Sequence, residues 1–155
     1  MKLENNQLSQ VNEARLLGLI ISDDLKWHTN TDELVKRAYK RLTILRHLAT
    51  FDVPKRELIQ IYILYIRSVL EQSSVVWGSS ITEEESNSLE QGQKCSLRII
   101  YQDKYISYQN ALINANLIEL PERRKKLSLR FALKCLKNPK TSNMFQLNQY
   151  LTRVD

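Results

Sequence analysis

Leu34, Ala38, Leu42, Leu45 and Ala49 recur at helical spacing, one apolar stripe that predicts a helix running to about Thr50. Thr29 or Asn30 can cap its start. Lys36, Arg37, Lys40 and Arg41 fall on the opposite side, so this helix is amphipathic with a basic outer surface. Pro54 fits the first turn of a second helix. It continues through Leu58, Ile61, Tyr62, Tyr65, Ile66, Val69 and Leu70 towards Trp77. Its apolar residues occupy nearly every side, which places it in the middle of a bundle, and Gly78 marks its stop. Thr82-Glu83-Glu84-Glu85 reads as a capping box. It opens a third helix to about Ile100, with Leu89, Gln93, Ser96 and Ile100, together with Cys95 and Ile99, on the buried stripe.

A short helix begins at Ser107 and carries Ala111, Leu112 and Ala115. Pro121 opens a last long helix, and Pro139 follows it. Its expected apolar face is Leu129, Ala132, Leu133 and Leu136, with Leu127 and Phe131 beside it. Ahead of the helices, residues 1–22 read as strands. Asn5-Asn6 suits a hairpin turn between Lys2-Leu3-Glu4 and Gln7-Leu8-Ser9. Ala14 to Ile21 reads as one buried strand, with Gly18 allowing close backbone approach. From Thr141 the pattern fades into a loose tail around Met144-Phe145. The chain is therefore mainly α: a short N-terminal β-hairpin followed by a helical bundle of about five helices. It divides into a hairpin unit (1–22), a three-helix unit (23–101) and a closing helical segment with its tail (102–155).

The 155 residues suffice for one cored domain or two small lobes. Three glycines and three prolines leave few tight turns. The net charge of +6 permits nucleic-acid or other acidic partners without establishing them. The charge is unevenly spread: Ser68 to Gln93 holds no Lys or Arg, whereas the stretches around Lys36 and from Lys94 to Lys137 are strongly basic. Each basic run is either a solvated helix face or a phosphate-contacting surface. Arg123, Arg124, Lys125 and Lys126 form the densest cluster. They sit against the helix dipole, and a helix N-terminus with four cations suits phosphate.

Other chemistry finds little footing. Cys95 and Cys135 fall at apolar helical positions and read as buried free thiols in a reducing compartment. They and His28 and His47 lack metal-ligand spacing. No phosphate loop, nucleophile elbow or zinc-protease motif occurs, which excludes the common enzyme classes those motifs mark. Asp23-Asp24 reads as turn and cap chemistry. Trp27, Tyr62, Tyr65 and Trp77 read as core, and Tyr101, Tyr105 and Tyr108 as more open. The apolar run Leu58 to Leu70 is too short for a membrane span.

Several segments, in order, resemble reverse transcriptases of non-LTR retrotransposons of the Jockey and chicken-repeat type. Leu16-Leu17-Gly18 followed by Leu25-Lys26-Trp27 resembles the primer grip and the turn behind it. Lys40-Arg41-Leu42 with Leu45-Arg46 resembles the first thumb helix. Ile66 to Gly78, with its Val-Trp ending, and Leu89-Glu90-Gln91-Gly92-Gln93-Lys94 resemble the next two helices. Glu122-Arg123-Arg124-Lys125-Lys126-Leu127 and Phe131-Ala132-Leu133-Lys134-Cys135 resemble the closing helix. Leu16 stands where the family usually has an aromatic residue.

The resemblance implies a primer-grip, thumb and post-thumb region that holds an RNA–DNA or RNA template-primer duplex. The fingers, most of the palm and the catalytic aspartates would precede Met1. This chain is then not an enzyme by itself and holds no cofactor, while the parent RNA-directed DNA polymerase would use magnesium. The implied duplex contacts are Lys36, Arg37, Lys40 and Arg41, then Arg123, Arg124, Lys125 and Lys126, with Leu17 and Gly18 at the primer end. The implied partners are the duplex and the remainder of the polymerase, with no membrane, in a nuclear or cytoplasmic ribonucleoprotein. The alternative is a decayed or co-opted fragment that acts as a protein-interaction or dimerisation domain through exposed apolar surface.

Overall fold

The computed structural model describes residues 11–142 and the backbone of two short strands ahead of them, β1 (Lys2–Leu3) and β2 (Asn6–Gln7). β1 and β2 pair antiparallel, Lys2 with Gln7 and Leu3 with Asn6. Asn6 is thus a strand residue and not half of the turn. The expected tail around Met144-Phe145 lies outside the described residues.

The run from Ala14 to Ile21 is not one buried strand. It is a second hairpin, β3 (Glu13–Leu16) against β4 (Leu19–Ser22), with Leu16 opposite Leu19. Leu17 and Gly18 both take positive φ, 49° and 84°, as a two-residue hairpin turn of the right twist requires. β3 is exposed throughout, and only Leu19 of β4 reaches the core. The apolar run carries no polar alternation that would reveal a turn, so the single glycine was its one signal.

The helical part has the expected mainly α character. α1 (His28–Thr50) packs most extensively on α5 (Glu83–Tyr101). The α1 stripe Leu34, Ala38, Leu42, Leu45 and Ala49 is fully in the core. No side chain caps α1: its N-cap is Trp27, and Thr29 and Asn30 lie inside the first turn. Asn30 is buried there, and its Oδ1 accepts the Ile20 N–H at 3.2 Å, pinning β4 to the helix.

The second helix is interrupted. α2 (Lys55–Ile61) runs into a π-helical stretch (Tyr62–Arg67) and α3 (Ser68–Leu70). After a turn with Ser73 at positive φ comes α4 (Ser74–Trp77). One side, with Leu64, Tyr65 and Ser68, faces solvent, so this segment flanks the bundle and is not at its centre. Gly92 admits it closely, because a Cβ there would lie 3.1 Å from Leu70 Cδ1.

The capping box forms at the start of α5: Thr82 and Glu85 each accept the other's backbone N–H. The chain then passes a 3-10 turn (Gln102–Lys104), α6 (Tyr108–Ala115), α7 (Leu120–Lys137) and α8 (Pro139–Ser142). Ser107 caps α6 through the Asn110 N–H. Ala111, Leu112, Ala115 and Leu120 join the same core as α1 and α5. No described helix is long and apolar enough to cross a membrane.

Candidate nucleic-acid interface

The α1 cations divide into two kinds. Lys36 and Lys40 are exposed. Arg37 and Arg41 are half-buried and held by neighbours: Arg37 Nη1 donates to Gln72 Oε1 at 3.0 Å, and Arg41 donates to the Tyr65 carbonyl. The Arg41 guanidinium also lies 4.3 Å from the Tyr65 ring centroid, within cation–π range. Two fixed guanidinium planes and two free ammonium groups therefore share one helix face.

Gln72 joins that face to the hairpin. Its Nε2 stands 2.6 Å from where a Gly18 Cβ would be, its Oε1 takes Arg37, and its carbonyl accepts the Trp77 indole N–H at 2.8 Å. Gly18 thus meets two demands, positive φ and this close approach. The Leu17 side chain stands 91% exposed at the tip. The structure brings Leu17, Gly18, Arg37 and, on the same helix face, Lys36, Lys40 and Arg41 into one region. Nothing in the sequence pattern singled out Gln72.

The second basic cluster is arranged differently. Arg124 is buried, 4% exposed. Its Nη2 donates to Ser86 Oγ at 2.6 Å, its guanidinium lies 5.9 Å from the Trp77 ring centroid, and its Nη1 has no partner. Burial lowers its pKa, with Glu90 and Glu71 opposing. Arg123 Nε approaches Glu71 Oε1 to 2.6 Å as an ion pair without hydrogen-bond alignment. Arg67 reaches the other Glu71 oxygen at 3.7 Å. Burial and then the Arg123 charge lower the Arg67 pKa. Lys126 pairs with Glu122 at 2.7 Å, and Lys125 is exposed.

The helix N-terminus beside these cations is not open to phosphate. Glu90 Oε2 already accepts the Leu120 N–H at 2.9 Å. Glu90 Oε1 accepts from Gln93 Nε2 at 3.3 Å and from the Tyr108 hydroxyl. Burial raises the Glu90 pKa, and the Tyr108 and Leu120 hydrogen bonds oppose it. A carboxylate from α5 thus takes the place that an anion would fill. Gln93 completes this buried network with Tyr62 and the Ile118 carbonyl, at 2.5 and 3.0 Å.

The aromatic expectations divide. Tyr62 and Trp77 are core, but Tyr65 is partly exposed under Arg41. Tyr101 is buried, and Tyr108 is engaged with Glu90, so neither is as open as the sequence suggests. Asp24 accepts from Ser22 Oγ at 2.7 Å and from the Lys26 N–H at 3.0 Å. The Ser22 hydroxyl, then the Lys26 backbone, hold its pKa at about 2, which is turn chemistry. Among the described residues no three His, Cys, Asp or Glu side chains gather as a metal site. His28 Nδ1 sits 2.7 Å from Glu85 Oε1. Cys135 is buried and Cys95 half-buried, both as free thiols. The chain matches no family model, no curated protein and no solved structure.

Proposed function

We propose that this chain is a nucleic-acid-holding module of thumb type, which grips RNA–DNA or RNA template-primer duplex and leaves nucleotide addition to another part of a polymerase. The observation that carries this reading is the α1 face, where Lys36 and Lys40 are unpaired, Arg41 is held by Tyr65, and Arg37 is joined through Gln72 to the Leu17-Gly18 turn. Cations at successive turns of one helix track a phosphate backbone. Recognition of this kind reads duplex shape and charge without base sequence. Lys125 and Lys126 supply outlying contacts, while Arg123 and Arg124 support the fold. Magnesium belongs to the catalytic part of such a polymerase, where the paired carboxylates would lie.

The test is anisotropy of a labelled RNA–DNA hybrid titrated with the full chain across a salt series. Replacing Lys36 and Lys40 with Ala should lower the slope of log K against log salt by about 2, one per lost phosphate contact. Wild-type-like binding by that variant, or no binding at low salt, overturns the reading. Nucleotide incorporation by this chain alone overturns its non-catalytic part. A protein-interaction role is the second reading, and the uncovered leucines of α7 are the observation that favours it.

A further inference from the structure

The apolar face expected on α7 is real, but it points away from the core. At about 100° per residue, the buried Arg124 and Cys135 lie on one side of the helix, and Leu129, Leu133 and Leu136 lie on the other. Leu129 is 63% exposed and Leu133 49%. Lys126, Leu129, Arg130, Leu133, Lys134 and Lys137 line an open groove of about 560 Å³ here. Three leucines in register on a solvent-facing side are unusual unless another surface covers them.

We propose that this face of α7 docks an acidic amphipathic helix from a protein partner. Three observations select that occupant. First, Leu129, Leu133 and Leu136 are spaced four and then three apart, the alternation of a two-helix seam. This seam is narrower than the broad apolar half that a helix buries in a lipid surface. Second, the positions flanking the seam are Lys125, Arg130, Ala132 and Lys137, and Lys126 begins it. Flanking charges choose the partner in such a seam, so glutamates or aspartates are required opposite. Third, there is no acidic residue from Arg123 to Ser142. A second copy of α7 would set cations against cations, which disfavours self-pairing. This face shares no residue with the α1 face, and of the proposed duplex contacts only the outlying Lys125 and Lys126 fall within it.

The test uses the full chain and two labelled helical peptides, each with leucine at the seam positions. One carries glutamate at the flanking positions and the other lysine. The acidic peptide should bind and the basic one should not. Leu129→Gln with Leu133→Gln, both at exposed positions, should weaken acidic-peptide binding by about tenfold or more and leave the melting temperature unchanged. Arg130→Glu with Lys137→Glu should move the preference to the lysine peptide. Acidic-peptide binding that ignores both double variants overturns the proposal. So does tighter binding to phosphatidylserine vesicles than to the peptide, or self-association in sedimentation that the leucine substitutions abolish.

Discussion

α1 and α7 carry nearly the same alphabet, leucines at helical spacing among lysines and arginines, and the fold uses the two helices in opposite ways. α1 buries its leucines and turns its cations outward; α7 buries Arg124, ties down Arg123 and leaves Leu129 and Leu133 in solvent. The difference comes from what each helix packs against. α1 lies along α5 for most of its length, so apolar burial decides its rotation. α7 meets α4 and α5 through Leu120 and Arg124 in its first half. There its neighbours are the buried Glu90 and Trp77 and the half-buried Ser86 and Gly78. A surface with hydroxyl, carboxylate and indole groups accepts a guanidinium. A cluster of basic residues is therefore a poor guide to function until its neighbours are known.

The largest test of that contrast removes the same atoms from each helix. Leu42→Ala should cost about 2–5 kcal/mol in urea unfolding, because Leu42 is fully buried and a cavity would remain. Leu133→Ala should change stability by no more than about 0.5 kcal/mol. Comparable losses at both sites would mean that α7 is covered and that the contrast is wrong.

The next test concerns the cations. Arg124→Ala should destabilise by about 2–3 kcal/mol, through a cavity beside Trp77 and the lost bond to Ser86. Arg124→Met should cost less than about 1 kcal/mol, since it keeps the volume and removes a charge that burial disfavours. Lys40→Ala should leave the melting temperature unchanged and weaken duplex binding. A stable Arg124→Ala variant with reduced duplex affinity would return that arginine to the interface.

How far the sequence reveals these features depends on whether local pattern or tertiary contact decides them. The α1 stripe and the Thr82–Glu85 capping box are legible because one depends on a single apolar face and the other is complete within four residues. The turn at Leu17-Gly18 is hidden in a continuous apolar run. The break at Glu71–Ser73 is hidden because no glycine or proline marks it. Half of the α1 site is legible as a row of cations. Gln72, which connects that row to the hairpin, carries no local signal, because its role exists only once Gly18, Arg37 and Trp77 surround it. The orientation of α7 is equally non-local: it follows from Glu90 and Ser86, about thirty to forty residues away in sequence.

Gly18→Ala sharpens the account of the α1 region. A φ of 84° strains any L side chain, and the new methyl would displace the Gln72 amide. The cost should be about 1–2 kcal/mol, with a fall in duplex affinity because Arg37 loses its anchor. Unchanged affinity would show that the hairpin does not position the α1 face.

The smallest effects come from the two carboxylates by which α5 holds the starts of α1 and α7, and here the contrast takes the form of opposite signs with pH. Glu85 meets His28 and accepts from the Thr31 hydroxyl at the start of α1. Burial raises its pKa, but the Thr82 hydrogen bonds, His28 and Thr31 outweigh burial and leave it lowered. Glu90 accepts the Leu120 N–H at the start of α7, and burial leaves its pKa raised. A lowered carboxyl gives stability that is present above its ordinary value of 4.5 and lost as pH falls through the folded value. A raised one favours the folded state when protonated, and that contribution fades as pH rises from 4.5 through the folded value. Each Glu→Gln variant should cost about 1 kcal/mol near the pH where its carboxyl contributes most. In thermal melts on acidification, the gap between wild type and Glu85→Gln should close. The gap between wild type and Glu90→Gln should widen in favour of wild type. Gaps that move in the same direction would mean that α5 anchors both helices by the same electrostatics, and that α7 is not docked through a carboxylate kept from water.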